Sequence, residues 1–206
     1  MQERWRMNKL GFVNFWLYDW EEFPFSEGRL LLRGENGAGK SVTTQSFIPF
    51  MLDGDLRPYR LDSFGSKDRK MSYYLLGEDK EESTGYLYLE FIKPEHRLYR
   101  TLVVGLRARR SSSSVEFWGF CLSDGRRIGA GPEDFALFET KGSQHISLTR
   151  QEVHNRFGDG ENWVERGSDY KQMVNRMLFG CAEMEQYDRL LRLLIQLRKP
   201  KLSKDF

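Results

Sequence analysis

Residues 30–41 constrain this chain more than any other stretch. Three consecutive leucines, Leu30, Leu31 and Leu32, run through Arg33 into Gly34-Glu35-Asn36-Gly37-Ala38-Gly39-Lys40-Ser41. The leucines predict a short strand buried on both faces, the kind a parallel sheet uses. Gly34 to Ser41 is the full Gly-x-x-x-x-Gly-Lys-Ser pattern of a phosphate-binding loop. Its spacing has a physical reason. Gly34, Gly37 and Gly39 leave the backbone free to take positive φ and approach a phosphate closely. Successive N–H groups then point inward and form an anion nest at the start of the next helix. In such a loop Lys40 reaches the β- and γ-phosphates and the Ser41 hydroxyl ligates Mg²⁺. The pattern predicts a site for ATP and Mg²⁺ built from Gly34, Glu35, Asn36, Gly37, Ala38, Gly39, Lys40, Ser41 and Val42. The alternative is a glycine-rich turn that ends by chance in Lys-Ser. The buried strand before it and the helix-compatible stretch after it speak against that.

With 206 residues the chain suits one domain, or one domain with an embedded subdomain, and is long enough to bury a core. A formal net charge of +2 is too small to argue for nucleic acid, so any such case rests on local clusters. Cys121 and Cys181 lie far apart, outside metal-like spacing, and read as free buried thiols in a reducing compartment. His96, His145 and His154 are scattered without ligand spacing, so the only metal expected is nucleotide-bound Mg²⁺. No apolar run approaches the ~20 residues that span a bilayer, and the N-terminus lacks the apolar core of a signal peptide. A soluble, cytoplasmic protein is the expectation.

Taken in order, residues 10–18 are aromatic and β-prone and predict a first strand. Asp19-Trp20-Glu21-Glu22 reads as a turn, and Phe23-Pro24-Phe25 as a short edge strand. Residues 42–48 continue the loop as a helix, which Pro49 should end or kink, with Asp53-Gly54-Asp55 closing the segment. The stretch 56–70 carries five basic residues, Arg57, Arg60, Lys67, Arg69 and Lys70, without apolar periodicity. It is either a solvated loop or a loop that contacts the phosphates of DNA. Strands are expected at 85–93, 98–107 and 115–122, with Pro94-Glu95-His96-Arg97 as the first hairpin turn. They form an antiparallel meander set beside the nucleotide-binding sheet as a second layer. Beyond residue 130 the chain becomes helical. Thr149 and Glu152 make a capping box for a helix that Gly158 breaks. Ser168 or Asp169 caps another that Gly180 ends, and residues 184–198 bury Tyr187, Leu190, Leu191, Leu194 and Ile195 on one face. The divisions are thus 1–60 for the loop core, 85–130 for the meander and 148–198 for the helical part. The last residues carry no capping or tail composition and read as breaking off mid-phrase.

A hydrolysing enzyme of this kind needs a carboxylate on a second buried strand to hold Mg²⁺ through water. The one strand that ends in a carboxylate is residues 86–90, where apolar residues alternate with tyrosines. It reads as half-exposed, with Glu90 on the surface. The chain can hold a nucleotide but reads as unequipped to cleave it.

These features together resemble the N-terminal half of an ABC-type ATPase head of the SMC and Rad50 group, over nearly the whole chain. Asn14-Phe15-Trp16, Leu52-Asp53-Gly54, Leu61-Asp62-Ser63-Phe64-Gly65-Ser66 and the stretch 194–206 resemble most closely the MukB-like SMC (JetC) family of Wadjet-type plasmid-defence systems. The resemblance implies an α/β head lobe: a mixed sheet with an antiparallel β-layer and C-terminal helices leading toward a coiled coil. It implies that the Mg²⁺-binding acid, the catalytic glutamate and the signature motif arrive with a separate C-terminal lobe. Gln196 falls where the family's Q-loop glutamine touches Mg²⁺, although helical spacing alone makes it an ordinary exposed polar residue. Arg57 and Arg60 fall where related heads place an arginine loop. Implied partners are the protein's own C-terminal lobe, a second head, DNA, a kleisin, a winged-helix subunit and a nuclease subunit. Two other classes stay open: a self-contained small ATPase or kinase using Glu90 or Asp124 for Mg²⁺, and a DNA-binding module with vestigial nucleotide binding.

Overall fold

The structure, a computed structural model, describes residues 3–33, 35, 43–58 and 70–198. Its centre is a run of long strands rich in aromatic and β-branched residues, which favour a pleated, buried surface. They are β1 (Arg6–Phe15), β2 (Tyr18–Pro24), β3 (Glu82–Lys93), β4 (Leu98–Arg109) and β5 (Val115–Leu122). A two-residue strand, β8 (Trp163–Val164), closes the far edge, giving one antiparallel sheet in the order β2-β1-β3-β4-β5-β8. The protein is therefore mixed α/β, with an antiparallel sheet. The meander at β3, β4 and β5 and its turn between Lys93 and Leu98 are as the sequence predicts.

The two-sheet arrangement expected from sequence is corrected: β1 pairs directly with β3, so the N-terminal strands and the meander share one sheet. The expected turn at residues 19–22 is also displaced. The chain reverses at Trp16 and Leu17 and runs on through residues 19–22 as β2. Asn14 and Trp16 take φ of 43° and 57° there, left-handed values that tighten the reversal.

Among the described residues, five helices and one small hairpin cover the sheet. On one face lie α1 (Ile48–Asp53), α2 (Met71–Leu76), α4 (Gly167–Val174) and α5 (Met184–Arg198), packed on Leu87, Leu89, Leu102, Val104 and Leu106. On the other lie the hairpin β6 (Phe138–Lys141) and β7 (Gln144–Ser147) and the helix α3 (Arg150–Phe157). This side packs around Tyr86, Tyr88, Val103, Trp118 and Phe120. The β6–β7 hairpin contradicts the expectation of helix beyond residue 130. Its strands are four residues each and mostly polar, too short for period-2 alternation to register.

Local chemistry sets some helix ends and not others. Thr149 and Glu152 form the predicted capping box on α3, each satisfying the other's backbone N–H. Gly54, at φ 65°, caps α1 and donates its N–H to Phe50 O at 2.8 Å. The expected N-cap of α4 is corrected from Ser168 or Asp169 to Arg166, which makes no side-chain cap. A glycine opens α4 because Gly167 lies against Gly54, and a Cβ on it would stand 2.7 Å from the Gly54 carbonyl. After Val174 the helix widens into a π turn, Asn175–Phe179, and ends at Gly180 as predicted.

Two strand glycines lie under aromatic rings of the neighbouring strand. Gly11 sits opposite Tyr88 and Gly105 opposite Trp118. A Cβ at either position would come within 2.0 Å or 2.1 Å of the ring across from it.

Candidate nucleotide-binding site

Gly34, Asn36, Gly37, Ala38, Gly39, Lys40, Ser41 and Val42 lie outside the described residues, as do Arg60, Lys67 and Arg69. The frame on either side of the loop is described. On the approach, Ser26 and Arg29 exchange backbone hydrogen bonds of 2.9 Å around Glu27 and Gly28. Residues 30–33 then join no strand or helix, and Leu31 is 75% exposed. The expected strand buried on both faces is therefore not formed. A strand exists only through its neighbours, and no described segment hydrogen-bonds beside these leucines as a ladder. Glu35 is exposed.

The far side of the loop is fixed much more firmly. The chain leaves it as a π turn, Thr43–Phe47, and passes into α1 with Pro49 in the first helical turn. Pro49 thus changes the helix type instead of ending the helix. Its missing N–H costs little where a wide turn hands over to a new α-helical start. Thr43 is fully buried, its hydroxyl 3.3 Å from the Tyr18 hydroxyl. Phe47 meets Phe12, Phe15, Trp16 and Tyr74 at ring-centroid distances of 5.2 to 6.0 Å, mostly edge-on. Edge-to-face packing of this kind adds to plain burial.

The other end of α1 is held by two tyrosines. Tyr170 of α4 donates to Met51 O at 2.8 Å, and Tyr187 of α5 donates to Leu52 O at 2.7 Å. Both are carbonyls of the last helical turn, which lack an intrahelical partner. Burial pushes both phenols well above their ordinary range, so each remains a donor at every working pH. The segment after the loop is pinned at its start by rings and at its end by hydroxyls.

The remaining predicted site residues fall apart in space or in character. Arg57 is exposed and its Nε bonds both oxygens of Asp55, at 2.8 and 3.0 Å. Lys70 is exposed and stands at the N-cap of α2. Gln196 is exposed on the last turns of α5. The apolar face expected on that helix holds through the buried Tyr187 and Leu191 and the half-buried Leu190, which packs on the same core; Ile195 is half-buried and Leu194 is 39% exposed.

Glu90 is corrected outright. It is fully buried on the hairpin side of the sheet. Arg127 forks onto it through Nε at 2.8 Å and Nη2 at 2.7 Å, and Asn8 Nδ2 donates at 2.6 Å. The tyrosines that alternate with it are equally buried, because their hydroxyls find partners: Tyr86 donates to Leu148 O at 2.6 Å and Tyr88 to Glu22. Asp124, the other carboxylate considered for Mg²⁺, bonds Arg126 at 2.7 Å. Among the described residues, one approach of metal-ligand types is not apparent from spacing: side-chain ligand atoms of Glu3, Glu95 and His96 lie within 4.8 Å of one another. Hydrogen bonds from Glu95 N and His96 to the Glu3 carboxylate account for it.

Comparison with protein-family models and with curated proteins finds no match for the chain. Among the described residues no helix is long and apolar enough to cross a membrane.

Proposed function

We propose that this chain is the ATP-binding N-terminal lobe of a split SMC-like ATPase head. The observation that carries the reading is the Gly34-to-Ser41 pattern, delivered directly into a helix that the rest of the fold grips at both ends. Lys40 would meet the β- and γ-phosphates, and Ser41 would hold Mg²⁺. Two further features support a lobe that waits for a second one. The leucine run ahead of the loop has an uncovered apolar residue, Leu31, where a neighbouring strand would cover it. Both carboxylates that a self-contained enzyme would use are committed elsewhere, Glu90 to Arg127 and Asp124 to Arg126.

In this reading hydrolysis needs a C-terminal lobe that supplies the Mg²⁺-binding acid and the signature motif. Two heads would close on two sandwiched ATP molecules, and hydrolysis would part them. The work done is DNA entrapment or loop extrusion, in a Wadjet-type plasmid-defence complex with kleisin, winged-helix and nuclease partners. Gln196 is the proposed Q-loop residue.

The test is ATP binding and turnover by the purified chain with Mg²⁺, beside Lys40→Ala. Binding that needs Lys40, without turnover, is the expected result. Steady turnover by the chain alone would return the reading to a self-contained ATPase. DNA affinity that ignores both ATP and Lys40→Ala would make it a DNA-binding module.

A further inference from the structure

A cleft of about 880 Å³ opens where the start of the chain, the β3–β4 hairpin and the π turn after α4 come together. Four cations line it: Arg4, Lys93, Arg100 and Arg176. Other arginines on and beside this sheet are neutralised, Arg107 and Arg109 by Glu82 and Arg127 by Glu90. Among the described residues, the four in the cleft form no ion pair with a carboxylate. Glu3 is the one acidic residue among those lining it, and its oxygens already accept from Glu95 N and meet His96.

The groups that hold these cations are neutral. Lys93 Nζ and the Arg100 guanidinium lie over the Trp5 ring, 5.0 and 4.7 Å from its centroid. Arg100 also donates to Met177 O, and Arg176 donates to Glu161 O and to Asn162 Oδ1 at 3.3 and 3.0 Å. Lys93, Arg100 and Arg176 are thus placed by neutral groups, and the one carboxylate among the lining residues, Glu3, is felt by Lys93 without a close ion pair. Like charges gathered in a concavity repel one another and raise the local concentration of anions. Phe179, 37% exposed, adds an apolar ring to the same wall. Three of the four cations are arginines, whose planar forks match phosphate oxygens two at a time. The volume falls within the range of small-ligand sites.

We propose that this cleft is a second phosphate-recognising site, separate from the phosphate loop, that takes one nucleotidyl unit. Phosphate oxygens meet the arginine forks and Lys93, and the base stacks on the Phe179 side. Such a unit comes either from a free nucleotide or from a single nucleic-acid strand, and the chemistry of recognition is shared. The site stands whether or not the phosphate loop binds ATP.

The test is fluorescence anisotropy with a short labelled oligothymidylate, across a salt series. Arg4→Gln combined with Lys93→Gln is the informative variant, because neither side chain makes a hydrogen bond among the described residues. It is expected to raise Kd about tenfold or more and to flatten the salt dependence by about 0.7 in log–log slope per cation removed. Lys40→Ala is expected to bind the strand as the parent does. Displacement by AMP assigns the site to a free nucleotide, whereas displacement by unlabelled strand but not AMP assigns it to nucleic acid. The proposal is overturned by unchanged binding in the double variant, by loss of binding in Lys40→Ala, or by equal displacement with a polyglutamate peptide.

Discussion

On one face of the sheet Leu87, Leu89 and Phe91 meet helices; on the other, their sequence neighbours Tyr86, Tyr88 and Glu90 meet a hairpin and a loop. The helical face is closed by shape. Two of its phenols, Tyr170 and Tyr187, reach out to cap α1. The hairpin face is closed by chemistry: Lys9, Glu22, Tyr88 and Trp20 form one chain of polar contacts, and Asn8, Glu90 and Arg127 another. Two equally buried faces therefore fail differently. Loss on the first scales with the volume removed. Loss on the second depends on which partner is left without water.

The largest effects should come from emptying the helical face. Phe47→Ala is expected to cost about 3–5 kcal/mol in urea unfolding, because its ring touches four others. On the hairpin face Arg127→Met should approach the same size, about 3–5 kcal/mol, since it removes the cation paired with a fully buried carboxylate and leaves it, among the described residues, the single hydrogen bond from Asn8. Glu90→Gln should cost clearly less, because the Arg127 side chain is 40% exposed and can turn to solvent. Equal losses from the two substitutions would erase the distinction between the faces. Tyr187→Phe keeps the ring and removes one cap from α1, so about 1–2 kcal/mol is expected; ATP binding measured alongside tells whether the loop depends on that anchor.

Smaller effects sit at the rim of the hairpin face. Thr149→Ala should cost about 1 kcal/mol by melting the first turn of α3. Hydrogen bonds from the Thr149 backbone and hydroxyl hold the Glu152 carboxyl below its ordinary value of 4.5. A carboxyl with a lowered folded pKa stabilises above its unfolded pKa and loses that contribution as pH falls through the folded one. Glu152→Gln should therefore destabilise at neutral pH and approach the parent in acid, as read from melting curves taken from neutral pH down into acid. Least of all, thiol labelling at neutral pH should mark Cys181 and spare Cys121, which is buried and pushed up to about 12.

Features set by adjacent residues were legible in the sequence. The Thr149–Glu152 box, the Gly54 and Gly180 stops and the β3–β4 turn depend on residues a few positions apart, and the structure has them where expected. Long-range pairings were not legible. Glu90 reads as exposed until Arg127 and Asn8, 37 and 82 residues away, are placed against it. Alternating tyrosines mimic a solvated face, although each hydroxyl in fact meets an acceptor within the fold. The run at Leu30 to Leu32 has strand composition but no ladder beside it in the described residues, and composition carries no information about neighbours. For the candidate site, the loop was legible as a pattern. The anchorage of its helix by Phe47, Tyr170 and Tyr187 was not, because those contacts join elements far apart in the chain.

The glycines beneath Tyr88 and Trp118 have a consequence for descent. Neither partner can drift alone, since any side chain at Gly11 or Gly105 would displace the ring opposite, and a smaller residue in place of the ring would leave a void over the glycine. Related sequences should therefore inherit Gly11 with Tyr88, and Gly105 with Trp118, as linked pairs that change together or not at all.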